Sequence, residues 1–150
     1  MKSIVQLHVK ADSESGYEIL EIVSVLHAFR NSITVDTLLL AIALIRDNII
    51  LPFIDGHTTF ADGVMVLNHP YGVFDTLISL SASGENSVLK LREEADRVWV
   101  CTGPKFVSED VIATYRLGSK MLDRARIAKR VMAALDASGK VVKLFTFGDR

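Results

Sequence analysis

The run "LLLAIALI" from Leu38 to Ile45 leaves this chain few ways to fold. Asp36 and Arg46 bracket it, far short of the roughly 18 uninterrupted apolar residues that a membrane span needs. A helix from Asp36 to Asp47, opened by Thr34 or Asp36 as its cap, is apolar nearly all round. It must therefore lie at the centre of a domain, with other elements on several sides. The 150 residues, 49% apolar and 23% charged, suffice for one such domain, and no linker or repeat divides them.

The surrounding elements follow from local pattern. Residues Ser3 to Lys10 alternate apolar and polar, as a half-buried strand does. Ser15 stands three residues before Glu18, the spacing of a capping box, and predicts a helix to about Arg30 that Asn31 ends. Its stripe is Ile19, Leu20, Val23, Leu26 and Phe29. Pro52 and "DGHTTFADG" mark irregular chain before a third helix, from Tyr71 or Val73 to Ser81, with Phe74, Leu77 and Ile78 inward. Val88 to Leu91 and Arg97 to Cys101 alternate about "REEAD" and predict a hairpin.

Ser108, Glu109 and Asp110 suit the start of a further helix that Gly118 interrupts. Ser119 can cap the last helix, which runs to Ala137 with Met121, Ala125, Ala128, Met132 and Leu135 on one face and Gly139 as its stop. A final strand from Val141 to Phe147 can pair with the first. The fold class expected is α+β and mainly helical: a winged-helix-like helical core with a β-hairpin and paired N- and C-terminal strands, in one domain of residues 1–150.

The N-terminus lacks the continuous apolar segment of a signal peptide, and the single Cys101 can form no internal disulfide; both point to the cytoplasm. Residues 1–103 hold 7 Lys and Arg against 13 Asp and Glu, whereas residues 104–150 hold 10 against 5. Arg124, Arg126, Lys129 and Arg130 of the last helix could meet phosphates in a DNA-binding regulator, or form an ordinary solvated face. The three carboxylates of "REEAD" at the hairpin tip oppose the first of these.

A small metal-dependent hydrolase would need Asp55, His57, Asp62 and His69 to converge in a cleft. None of the four histidines has a partner at the spacing of a recognised zinc motif. Cys101 ends the apolar alternation "VWVC", as a buried hydrophobe would, and Ser79, Ser81 and Ser83 lack the glycines of a nucleophile elbow. No glycine loop for phosphates occurs, and no cofactor is expected.

The stretch "VLNHPYGVFDTL" offers a different kind of site. Pro70 biases His69 toward extended backbone and Gly72 permits a positive φ, so the chain turns there. Tyr71 and Phe74 then stand at a helix entrance, as core residues or as anchors for a partner. The order of elements, together with "LLLAIALIRD" (38–47) and "ADGVMVLNHPYGVFDTLI" (61–78), resembles the Panacea domain of SocA-like and GepA-like phage-associated antitoxins over about residues 17–117. In that family the turn usually reads Gly-Pro-Val, where this chain has His-Pro-Tyr-Gly-Val.

The resemblance implies a non-enzymatic regulator of antitoxin or adaptor type that acts by contact with a cognate toxin or complex subunit, and in the SocA type delivers it to a protease. A related implication is the middle component of a phage-defence ATPase system. Partner contact would fall on Asp62, His69, Pro70, Tyr71, Val73 and Phe74. A homodimer through the terminal strands or the last helix is a further arrangement open to the sequence, and no membrane partner is expected.

Overall fold

The computed structural model describes residues 14–46, 64–137, 139 and 141–145. The elements are α1 (Glu14–Ala28), β1 (Ser32–Thr34), α2 (Val35–Arg46), β2 (Val64–Asn68), α3 (Val73–Ser81), β3 (Leu89–Glu94), β4 (Arg97–Thr102), α4 (Glu109–Ala113), α5 (Gly118–Ala137) and β5 (Val141–Phe145). The architecture is α+β and largely helical, with an antiparallel sheet in the order β1-β4-β3 and a separate parallel pair, β2-β5.

Helix α2 forms the centre, as its apolar run requires. Leu38, Leu39, Ala41, Ile42, Ala43, Leu44 and Ile45 are all buried, against α1 on one side and α5 on the other. Thr34 caps it: the Thr37 amide donates to Thr34 Oγ1 at 3.2 Å, while Asp36 stays exposed. Helix α1 buries both sides of its expected stripe, with Ile22 and Val25 added to Ile19, Leu20, Val23 and Leu26, because α2 and α5 cover it from two directions.

At the C-terminus of α1 the Asn31 amide reaches the Leu26 carbonyl at 2.8 Å and the Arg30 amide reaches that of His27 at 3.2 Å. This is a Schellman closure, and Arg30 (φ 60) shares with Asn31 (φ 70) the left-handed backbone it requires. The reversal sets up β1, a strand too short for local pattern to announce. Ser32 pairs with Cys101 and Thr34 with Trp99, so the three residues form the outer strand of the hairpin's sheet.

The hairpin is longer and its turn tighter than its alternation suggested. Only Ala95 (φ 54) and Asp96 (φ 62) form the bend, and both flanking glutamates belong to the strand, with Glu94 opposite Arg97. Two consecutive left-handed residues give the type I′ twist that suits paired strands. Helix α4 is short, with Ser108 Oγ accepting from the Val111 amide at 3.3 Å. Helix α5 begins at Gly118, so Ser119 lies inside its first turn rather than capping it. A Cβ on Gly118 would collide with the Ile112 carbonyl oxygen, and this close approach brings α4 onto α5.

Met121, Ala125, Ala128 and Leu135 of α5 are buried as their spacing requires, while Met132 is half-buried and Val131 takes its place in the core. The last strand meets β2. Val64 pairs with Val141 and Asn68 with Phe145, in parallel. The expected strand from Ser3 to Lys10 lies outside the described residues, and so does its pairing.

Candidate partner-binding face

Strand β2 delivers the chain to a turn built from His69, Pro70, Tyr71 and Gly72. The Tyr71 amide donates to the His69 carbonyl at 2.9 Å, and the Val73 amide to that of Pro70 at 3.3 Å. Gly72 takes φ 91, which is strained for any residue with a Cβ. Pro70 is buried, and Val73 is fully so. These two fix the rotation of α3, whose inward row is then Val73, Leu77 and Leu80.

That rotation corrects the expected facing of the helix. Phe74 and Ile78 point away from the core, 48% and 44% exposed, and Tyr71 joins them at 48%. Phe74 and Ile78, four residues apart, share one side of α3, and Tyr71 stands in the turn before it. Three large side chains, each about half open to water, expose on the order of 300 Å² of largely apolar surface, the size of the largest patch on an ordinary monomer. Asp75 is exposed beside them. The His69 ring is half-buried against Tyr71, with centroids 4.8 Å apart, and its Nδ1 is buried with no hydrogen-bond partner among the described residues.

Beneath the turn lies a polar cluster. Glu18 does not close a capping box; it is 4% exposed and accepts from Thr76 Oγ1 at 3.1 Å and from Arg46 Nη2 at 3.4 Å. Arg46 donates through Nη2 and Nε to the two oxygens of Glu21, at 2.7 and 3.0 Å, in the paired geometry that matches guanidinium to carboxylate. Glu21 is fully buried, and this desolvation raises its pKa above 4.5 even though Arg46 pulls it down. The hydrogen bond to Glu21 raises the pKa of Arg46 in turn. A Cβ on Gly72 would stand 2.7 Å from Glu18 Oε2, so the glycine is needed for closeness as well as for its φ.

The cluster ties α1, α2 and α3 together under the turn. Sequence reading passed over it, although a signal was present. Glu18 and Glu21 interrupt the apolar pattern of α1 on a single side, and such acids call for a cation, here supplied by the last residue of α2.

Of the other predicted site residues, Asp55, His57 and Asp62 lie outside the described residues, and so does any convergence of them with His69. Among the described residues no group of three His, Cys, Asp or Glu is placed to hold a metal ion. Cys101 is half-buried, with its Sγ 3.7 Å from Ser32 Oγ.

The basic residues of α5 are spread over different tasks. Arg126 is bound to Glu109 at 3.1 Å and Asp123 at 3.2 Å. The Lys129 ammonium lies 5.5 Å above the Phe29 ring, Arg124 is half-buried and Arg130 is exposed. Helix α5 rests mainly on α1, α2 and α4, whereas the hairpin rests on α3, α2 and α1. No described helix is long and apolar enough to cross a membrane. In comparisons with known proteins, the chain matches no family model, no curated protein and no solved structure.

Proposed function

We propose that this chain is a non-enzymatic protein-binding regulator of antitoxin or adaptor type, which engages a cognate toxin or complex subunit through the Tyr71, Phe74 and Ile78 face. With β2, between α2 and α3, set aside, the succession α1, β1, α2, α3, β3, β4, with β1 beside β4, is similar to that of a winged helix. In that reading α3 is the helix that DNA-binding winged helices lay in the major groove. Here its outward side is apolar and acidic, and no Lys or Arg occurs between Arg46 and Lys90.

That exposed apolar face, on a helix with no Lys or Arg of its own, is the observation that carries the proposal. A phosphate backbone needs cations at its point of contact. A protein surface needs rigid, desolvable anchors, which two aromatic rings on a fixed turn supply. The likeness of residues 38–47 and 61–78 to Panacea-domain antitoxins points the same way, and extends the reading to delivery of the partner to a protease or to a role as the middle component of a defence ATPase. His69, Pro70 and Val73 support the anchors from beneath, while Arg124, Arg126, Lys129 and Arg130 are assigned to the protein's own solvation and ion pairing.

The test is affinity capture from the native host with wild type beside Tyr71→Ala/Phe74→Ala. Both side chains are half exposed, so the double variant keeps its circular dichroism spectrum and melting temperature within a few degrees. One protein retained by wild type and lost by the folded variant is the expected result. Equal capture by both forms, or capture of nucleic acid alone, would refute the assignment.

A further inference from the structure

Away from the α3 face, β3 stands at the end of its sheet. The order β1-β4-β3 puts it there, and Lys90, Arg92, Glu93 and Glu94 along it are all exposed. One step beyond the Leu89–Thr102 pair, the Gly103 amide donates to the Val88 carbonyl at 2.8 Å. Bonded residues alternate along an antiparallel ladder, so Lys90, Arg92 and Glu94 turn their backbone groups to β4. Leu89, Leu91 and Glu93 turn theirs outward, where no described strand meets them. Lys90 and Leu91 also line an open cavity of about 340 Å³ with Ser81, Gly84 and Glu85, so the foot of this edge is clear.

Charged side chains commonly keep such an edge from pairing. Here their order does the reverse. From residue 90 to residue 94 the strand reads Lys, Leu, Arg, Glu, Glu, cations first and anions last, and it complements its own antiparallel copy. A two-fold axis through the sheet at Arg92 sets Lys90 opposite Glu94 of the second copy, twice. It also joins Leu91 to Glu93, two residues whose backbone groups already face outward. The two Arg92 side chains meet at the axis, each bound through Nε to its own Glu94 at 3.1 Å. An axis at Leu91 would instead set Lys90 against Arg92, and one at Glu93 would run Leu91 into the left-handed Ala95.

We propose that a second copy of this chain docks on the β3 edge, strand to antiparallel strand about Arg92, and joins the two three-stranded sheets into one. The surface involved is one backbone edge and a few side chains, less than an obligate dimer buries, so the association is weak and depends on concentration. It is independent of the partner-binding reading, since Tyr71 and Phe74 take no part in it.

Sedimentation velocity of the full chain over a concentration series reaching about 1 mM, where interfaces this small assemble, is the test. Wild type is expected to pass from monomer to dimer along the series. Glu93→Pro removes an outward amide and no bond to β4, and should abolish the dimer with the circular dichroism spectrum unchanged. Lys90→Glu and Glu94→Lys each set like charges opposite one another twice, and each should weaken self-association by about tenfold or more. An equimolar mixture of these two single variants restores both opposite-charge pairs and should form a heterodimer.

A monomer throughout the series would overturn the proposal. So would a dimer that Glu93→Pro or Lys90→Glu leaves unchanged, or a mixture of the two charge variants that fails to associate. A dimer abolished by Tyr71→Ala/Phe74→Ala would place the contact on the α3 face and overturn it as well.

Discussion

Replacing Arg46 by Met tests the cluster that holds the turn. The substitution keeps much of the side chain's bulk and removes the two charge-assisted hydrogen bonds, at 2.7 and 3.0 Å, to a carboxylate with no exposure to water. Bonds of this kind contribute about 1.5–3 kcal/mol each, and breaking one side of a buried ion pair costs about 3–5 kcal/mol. Domain stabilities of about 5–15 kcal/mol leave little room for such a loss.

The penalty should depend on pH. Burial and the neighbouring Glu18 already push the Glu21 pKa up, and Arg46 supplies what pulls it down. Without Arg46 the folded protein holds the Glu21 proton to a higher pH, while the unfolded chain releases it near 4.5. Because the folded pKa is the raised one, the electrostatic penalty is absent below about 4.5 and grows as pH rises toward the folded value.

Urea denaturation followed by circular dichroism at pH 5 and pH 8 should therefore show Arg46→Met destabilised at both, and distinctly more at pH 8. Glu21→Gln/Arg46→Met should recover stability at pH 8 and lose the pH-dependent part of the difference. An equal loss at both pH values, or a double variant no better than the single one, would refute the view that a stranded carboxylate is responsible.

Two further outcomes follow from backbone geometry. Gly72→Ala places a Cβ 2.7 Å from Glu18 Oε2 at φ 91, and should destabilise the fold by about 1–3 kcal/mol in chemical denaturation; an unchanged midpoint would show that the turn relaxes freely. Ala95→Asn/Asp96→Gly puts residues suited to left-handed backbone into the hairpin bend and should add about 1 kcal/mol, read as a rise of roughly 2–4 °C in melting temperature. No rise, or a fall, would count against the type I′ assignment.

What could be read from sequence depended on how far away the deciding partner lies. Helix α2 was legible because a run such as Leu38 to Ile45 is buried nearly all round whatever its rotation, with Leu40 alone half-buried. The start of α3 was legible too, since Pro70 and Gly72 act within their own turn. Its facing was not: "VFDTLISL" has one apolar row at Val73, Leu77 and Leu80 and another at Phe74 and Ile78, and hydrophobicity alone does not rank them.

Packing against α1 and β3 chooses the first row. Strand β1 was missed because three residues acquire strand character only from Cys101, Val100 and Trp99. Ser15 and Glu18 have the spacing of a local cap, yet the carboxylate finds Arg46 and Thr76, residues no window around it contains. The candidate face was thus half visible: the turn and its aromatics could be named, while Ile78, Asp75 and the acids beneath needed the fold.

The parallel pairing of β2 with β5 also imposes an order in time. Residues 64–68 lead directly into the turn that presents Tyr71, yet their hydrogen-bonded neighbours are residues 141–145, synthesised after every other described element. Contacts between such distant segments form late in folding. During translation α1, α2 and α3 can collapse together as they emerge, but the strand that leads into the turn waits for its mate. In a growing chain the turn at residues 69–72 therefore lacks its sheet support until synthesis has passed residue 145.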